Sequence, residues 1–200
     1  MSIIQQIEKS IQEREAWVLR RQKGIPTNKR LFVLTCMDER VNIEEALGLQ
    51  PGDAHIFRNA GGLVTDDVIR SAALTTNFFE TKEIIVVTHT ECGMMMKSGK
   101  EIVKALQEKL GIDLSTIQLD PSLPELSLTD PKAIERWFKT FESIDEITVA
   151  QVELLRNHPL IPKDVTIAGY IYEVETGKLR RPFEMLSRRV NSHQEMTGNA

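Results

Sequence analysis

Residues 31–40, LFVLTCMDER, join an apolar run to a group of chemically reactive side chains. The run from Leu31 to Thr35 is continuous and rich in β-favouring residues, which is typical of a strand covered on both faces in a parallel sheet. Cys36 ends the run, and Asp38 and Arg40 follow it at intervals of two residues. Open parallel sheets bind ligands at the carboxyl ends of their strands. This stretch therefore predicts a buried strand that leads into a functional loop.

The same pattern recurs twice further along the chain. Residues 53–58, DAHIFR, predict a second strand that ends at the sequence NAGG, and residues 83–88, EIIVVT, predict a third that runs into HTECG. Between these strands, residues 64–80 predict a helix whose start Thr65 favours by side-chain capping. Strands that alternate with helices indicate an α/β fold with a mainly parallel sheet flanked by helices.

The rest of the chain continues this alternation. Residues 165–174 predict a fourth strand that is turned at residues 175–178, and residues 113–130 predict a long surface excursion. Further helices are predicted from their periodicity at residues 41–47, 97–110 and 131–157.

The two ends of the chain differ from this central part. Residues 3–22 have the periodicity of an amphipathic helix, in which Trp17 is predicted to anchor against a neighbouring surface, within the subunit or across a dimer. We expect one domain over residues 1–200, with an N-terminal helical arm at 1–24 and a C-terminal tail at 183–200. For the tail, disorder and an arm that links oligomers are both open.

Composition excludes several classes of protein. Hydrophobic residues make up 41% of the chain and charged residues 27%, which is ordinary for a soluble globular protein. A net charge of −4 gives no support for a nucleic-acid partner. No apolar run approaches the roughly 20 residues that a membrane-spanning helix needs, and the N-terminus lacks the features of a secretory signal. We therefore expect a cytoplasmic protein, in which a disulfide between Cys36 and Cys92 is disfavoured.

Three potential metal ligands follow two of the predicted strands. Cys36 follows the first strand, and His89 and Cys92 follow the third. Two thiolates and one imidazole leave one position open on a tetrahedral zinc ion, as in catalytic sites. The sequence thus predicts one Zn²⁺ per subunit. A structural zinc site in a non-enzymatic protein is the alternative, and it would have to recruit His55 or His158 as a fourth ligand.

Asp38 and Arg40 are the predicted catalytic pair. Their spacing in the turn after the first strand can place Asp38 beside the open metal position and Arg40 against Asp38. A guanidinium keeps a carboxylate ionised and holds it by a bidentate fork. The carboxylate could then accept a proton from a water that zinc has acidified. An ordinary surface ion pair is the alternative.

Three short motifs resemble those of the β-carbonic anhydrases: CMDER at 36–40, RNAGG at 58–62 and HTECG at 89–93. This resemblance implies a zinc-dependent α/β protein with a mainly parallel sheet, assembled from dimers. It also implies that Cys36, His89 and Cys92 bind the zinc, and that Asp38 and Arg40 form the pair beside the catalytic water.

Within that family, residues 17–182 are similar to the carbon disulfide hydrolases and the related carbonyl sulfide hydrolases. This likeness implies hydrolysis of a small apolar triatomic substrate, carbon disulfide, through carbonyl sulfide to carbon dioxide and hydrogen sulfide, by attack of zinc hydroxide. It also implies a homo-oligomer built from dimers. Reversible hydration of carbon dioxide is the alternative, since it uses the same catalytic residues. Met94–Met96 could line an apolar substrate path or could fill gaps in the core.

Overall fold

A five-stranded sheet forms the centre of the computed structural model, which describes residues 3–4, 24–118 and 131–183. The strand order is β2-β1-β3-β4-β5. The first four strands are parallel, and β5 pairs antiparallel with β4 through a turn at residues 174–177, one residue earlier than the predicted 175–178. The strands are β1 (Leu31–Cys36), β2 (Ala54–Asn59), β3 (Glu83–His89), β4 (Thr166–Glu173) and β5 (Lys178–Arg180). The predicted α/β class and the mainly parallel sheet are confirmed.

Helices connect and cover these strands. They are α1 (Ile43–Ala46), α2 (Asp66–Phe78), α3 (Gly99–Leu110), α4 (Pro131–Trp137) and α5 (Ile144–Asn157), with 3₁₀ turns at Ala60–Gly62, Gly93–Met95 and Leu114–Thr116. The Thr65 side chain accepts a hydrogen bond from the backbone N–H of Val68 and caps α2, as predicted. Ser98 and Glu101 form a reciprocal capping box that starts α3.

The prediction of one continuous helical segment over residues 131–157 is wrong. The chain forms two helices there, separated by residues 138–143. Lys139 adopts a left-handed φ of 50°, which no α-helix accommodates. Ser143 then caps a new helix by accepting a hydrogen bond from the backbone N–H of Glu146. The helix predicted at 41–47 is also shorter than expected and comprises only the four residues of α1.

Strand β1 is buried on both faces, as its apolar run predicts. Phe32 and Leu34 pack into one core cluster with residues of α2 and α5, including Val68 and Leu155. Leu31 and Val33 point to the opposite face and belong to a second cluster that covers the other side of the sheet. Because both faces are covered, β1 is held rigidly, and its carboxyl end is a precise platform for a site.

Gly62 brings the loop after β2 against the end of β1. Its φ is +65°, and a Cβ atom added there would lie 2.8 Å from the backbone nitrogen of Cys36 and 2.9 Å from the carbonyl carbon of Thr35. Only glycine allows this backbone conformation together with so close an approach. The glycines of RNAGG therefore serve a tight turn beside the predicted metal ligands.

Several predictions concern residues outside the described ranges. The N-terminal arm with Trp17 falls almost entirely among them, as do residues 119–130 of the surface excursion and residues 184–200 of the tail. The single domain over residues 1–200 therefore stays a prediction. Within the described ranges, no helix has the length and apolar character needed to span a bilayer.

Candidate metal centre

The carboxyl ends of β1 and β3 lie side by side at one edge of the sheet. These neighbouring strands are parallel, and Thr35 of β1 stands opposite Val87 of β3. The sulfur atoms of Cys36 and Cys92 and a ring nitrogen of His89 consequently all lie within 4.8 Å of one another. All three side chains are buried, and both cysteines are free thiols. The structure thus brings together the three residues predicted to bind the metal.

The donor set fits a zinc ion in size and chemistry. Zinc binds thiolate sulfur at about 2.3 Å and imidazole nitrogen at about 2.0–2.1 Å, so donors within 4.8 Å of one another can share one ion. His89 Nδ1 lies 2.8 Å from the carbonyl oxygen of Thr90, to which it donates in the neutral tautomer that metal ligation requires. His89 Nε2 is buried and has no hydrogen-bond partner in the described part of the chain. A metal ion would satisfy that nitrogen.

The two thiols share a proton between them. The pKa of Cys36 is lowered to about 4, chiefly by a hydrogen bond with Cys92 and against the opposing effect of burial; His89 and the backbone N–H groups of Asp38 and Gly61 contribute to the same shift. The same bond with Cys36, together with burial, raises the pKa of Cys92 well above its usual range. Of the two thiols, Cys36 is therefore the one that ionises first, and a bound cation would displace the proton from Cys92.

Asp38 and Arg40 form a bidentate ion pair beside this cluster. Arg40 Nε donates to Asp38 Oδ1 at 3.0 Å, and Arg40 Nη2 donates to Asp38 Oδ2 at 2.9 Å. The backbone N–H of Arg40 also donates to Asp38 Oδ1 at 3.0 Å. The side-chain hydrogen bonds of Arg40, and then its backbone hydrogen bond, hold the pKa of the Asp38 carboxyl well below its usual range. Asp38 Oδ2 is 3.9 Å from His89 Nε2, so an ionised carboxylate stands next to the potential ligands.

Arg58 and Asn59 brace the loops around Cys36. Arg58 Nη1 donates to the carbonyl oxygen of Cys36 at 3.2 Å, and Nη2 donates to that of Val41 at 2.9 Å. Asn59 closes the glycine turn, because its side chain donates to the carbonyl oxygen of Leu63 and accepts from the Leu63 backbone N–H. Both residues belong to the quoted RNAGG motif, although the sequence did not reveal these contacts.

A buried pair of threonines fixes the end of β3. Thr148 of α5 donates to the carbonyl oxygen of Ile144 at 2.6 Å, which uses its only hydroxyl proton. Its contact of 2.6 Å with the Thr88 hydroxyl is therefore donated by Thr88, the residue before His89. No motif marks Thr148 in the sequence, and only the packing of α5 on the sheet reveals it.

His55 and His158, which a structural zinc site would have to recruit, lie apart from the cluster. His55 of β2 stands opposite Phe32 of β1 in the strand register. Phe32 precedes Cys36 by four residues, so His55 lies about 13 Å back along the strand from the level of Cys36. His158 caps the end of α5 and accepts a hydrogen bond from the backbone N–H of Leu160. Neither belongs to the group of potential ligands among the described residues, so neither supplies the fourth ligand of a structural site.

Comparison with known proteins agrees with this geometry. Residues 31–179 match the family model described as carbonic anhydrase. The chain is 54% identical over 198 residues to a carbon disulfide hydrolase of Acidithiobacillus thiooxidans, which covers 98% of each chain. It is 34% identical to β-carbonic anhydrase 1 of Mycobacterium tuberculosis, over 78% of this chain and 83% of the relative.

A solved structure gives the same result for the fold. The apo form of a carbon disulfide hydrolase superposes with a TM-score of 0.80 at 55% sequence identity, over 94% of this chain and 95% of the other. A parallel α/β sheet whose strand ends carry two cysteines, one histidine and an Asp–Arg pair defines the class of the protein. The chain belongs to the β-carbonic anhydrase family.

The donor geometry predicts about one zinc ion per chain. His89→Asn should weaken zinc binding by more than about 100-fold, because loss of a ligand should cost more affinity than loss of a residue that only contacts a ligand. Chelator competition with elemental analysis measures both quantities. The matched control is His158→Asn, which should keep the affinity of the unaltered chain. Equal losses in the two variants would contradict the assignment of His89 as a ligand.

Proposed function

We propose that the protein hydrolyses carbon disulfide, through carbonyl sulfide, to carbon dioxide and hydrogen sulfide. The main support is the ionised Asp38–Arg40 pair, which lies beside the cluster of Cys36, His89 and Cys92. In addition, the chain is 54–57% identical to carbon disulfide hydrolases over at least 90% of its length. Each of the two steps adds one water molecule and releases one hydrogen sulfide. The protein is thus an enzyme of the β-carbonic anhydrase family.

Cys36, His89 and Cys92 would hold the zinc ion, and their three donors leave one position for water. Zinc bound there supplies a Lewis acid that acidifies water to a pKa near neutrality. The Asp38 carboxylate, kept ionised by Arg40, accepts the proton of the attacking water and orients its oxygen toward the substrate carbon. Arg40 itself stays charged and holds Asp38 in place through the bidentate contact.

The surroundings of the cluster suit a small apolar substrate. The backbone N–H of Gly61 contributes to the low pKa of the Cys36 thiol, so Gly61 is next to the cluster. Gly61 also faces Met94, because a Cβ atom added at Gly61 would lie 3.2 Å from Met94 Cγ. Met94 is partly buried, whereas Met96 is 81% exposed and fills no gap in the core. Of the three methionines, Met94 is therefore the one placed to give the site a polarisable apolar wall.

Two alternatives follow from the same residues. Hydration of carbon dioxide would use the same ligands and the same Asp–Arg pair. The chain is 34% identical to a β-carbonic anhydrase but 54% identical to a carbon disulfide hydrolase, so the comparison favours the sulfur substrates. A purely structural zinc site would need a fourth protein ligand. Among the described residues, His55 and His158 lie outside the cluster and Asp38 is held by Arg40.

A parallel assay of the zinc-loaded protein with carbon disulfide, carbonyl sulfide and carbon dioxide tests the choice of substrate. We expect release of hydrogen sulfide from the first two, measured as sulfide in solution, and slower hydration of carbon dioxide, measured by the fall in pH. Hydration of carbon dioxide without release of sulfide would overturn the proposal in favour of a carbonic anhydrase.

Asp38→Ala should reduce turnover of carbon disulfide by about 10²–10⁴-fold, the range typical of general base catalysis, because no carboxylate remains to take the proton. Zinc content should stay near one per chain, since Asp38 is not among the three proposed ligands. Steady-state kinetics and elemental analysis of the same preparation check both statements. Unchanged turnover in a zinc-loaded Asp38→Ala variant would remove Asp38 from the mechanism.

We also propose that the chain forms homo-oligomers built from dimers and acts in the cytoplasm. An exposed apolar groove of about 920 Å³ between α2 and residues 158–160, with Leu74, Phe78 and Leu160 in its lining, supports association with a second copy. The free thiols of Cys36 and Cys92 fit a reducing compartment such as the cytoplasm.

Light scattering tests the proposed oligomer and should give at least twice the mass of one chain, so a monomer would contradict it. Cell fractionation tests the proposed location.

A further inference from the structure

Arg40 joins the two loops that carry the potential metal ligands. Besides its contacts with Asp38, its Nη1 donates to Glu91 Oε2 at 2.9 Å and its Nη2 donates to the Glu91 carbonyl oxygen at 3.2 Å. Arg40 follows β1, whereas Glu91 lies between His89 and Cys92 after β3. The guanidinium therefore has carboxylates on two sides, and one of them belongs to the ligand loop.

The backbone of Glu91 supports this contact. Its φ is +53°, in the left-handed region that residues other than glycine seldom adopt. Such conformations persist where the surrounding structure holds them, and they concentrate at functional sites. The hydrogen bond from Arg40 to the Glu91 carbonyl is one of the contacts that hold it. Both the side chain and the backbone of Glu91 are thus committed to Arg40.

We propose that Glu91 is a positioning residue, which holds Arg40 and thereby keeps the Asp38 carboxylate out of the open coordination position of the bound metal. This inference rests on the proposed function. Carboxylates are good zinc ligands, and Asp38 Oδ2 is only 3.9 Å from His89 Nε2. A carboxylate released by Arg40 would compete with water for the metal.

The strength of the hold comes from the arrangement as a network. A single exposed ion pair contributes little, but bidentate geometry and several linked charges raise that contribution. Arg40 meets both conditions, because it binds Asp38 by a fork and Glu91 by two further hydrogen bonds. Loss of the Glu91 carboxylate would free one side of the guanidinium and so favour conformations in which Asp38 is released.

The test measures azide binding to the full chain loaded with Co²⁺, whose visible absorption depends on its ligands. Apparent affinity falls with the fraction of molecules in which the fourth position is occupied by Asp38. Glu91→Asn shortens the side chain but tolerates a left-handed backbone, and Glu91→Gln keeps the length without the charge. We expect the azide Kd to rise about two- to fivefold in Glu91→Asn, as for an ion pair of this exposure, and less in Glu91→Gln.

Two comparisons separate positioning from a general effect of charge or folding. Glu39→Gln removes the same charge, next to Asp38 in the sequence. Glu39 makes no side-chain hydrogen bond or ion pair within residues 24–118 and 131–183. The azide Kd of the Glu39→Gln variant should therefore stay unchanged. In an Asp38→Ala background, Glu91→Asn should no longer alter the azide Kd, because the competing carboxylate is gone.

An unchanged azide Kd in Glu91→Asn, or an equal rise in Glu39→Gln, would overturn the inference. So would a rise that persists without the Asp38 carboxylate. These measurements use no sulfur substrate, so they can fail while the assignment to carbon disulfide stands. A chain that takes up neither Zn²⁺ nor Co²⁺ would instead overturn the proposed function together with this inference.

Discussion

The parallel pairing of β1 with β3 is the constraint on which the site depends. Cys36 ends one strand and His89 ends its neighbour, so the register of the two strands sets the distance between the first thiol and the imidazole. A shift of the register by one residue would turn each side chain of β1 to the opposite face. The two core clusters oppose such a shift, because it would turn Phe32 and Leu34 away from the cluster in which they pack against α2 and α5.

Electrostatics then give the cluster its chemical character. Two buried thiols side by side cannot both ionise without a compensating cation, and their hydrogen bond resolves this by leaving one proton on the pair. The Asp38 carboxylate adds a second negative charge nearby, which Arg40 balances. The result is a set of donors compatible with a divalent metal ion, with an ionised carboxylate next to it. Both properties are what hydrolysis by an acidified water requires.

Much of the fold follows from local sequence. The apolar runs at residues 31–35 and 83–88 predict their strands almost to the residue, because a strand buried on both faces needs a continuous apolar stretch. Thr65 marks the start of α2 because its hydroxyl satisfies a free backbone N–H. The division of residues 131–157 into two helices was missed, since it depends on the left-handed Lys139 and on a local cap within a sequence whose periodicity favours one helix.

For the site, the sequence by itself determined which chemical groups are present and at which strand ends they stand: Cys36, His89, Cys92 and the Asp38–Arg40 pair. These are local facts, since each residue follows a recognisable strand or lies two residues from another member of the group. Tertiary structure alone decided that Glu91 binds Arg40 and that Thr148 holds Thr88. Those contacts join residues far apart in the chain, and they form only where loop conformation and helix packing bring two side chains within about 3 Å of each other.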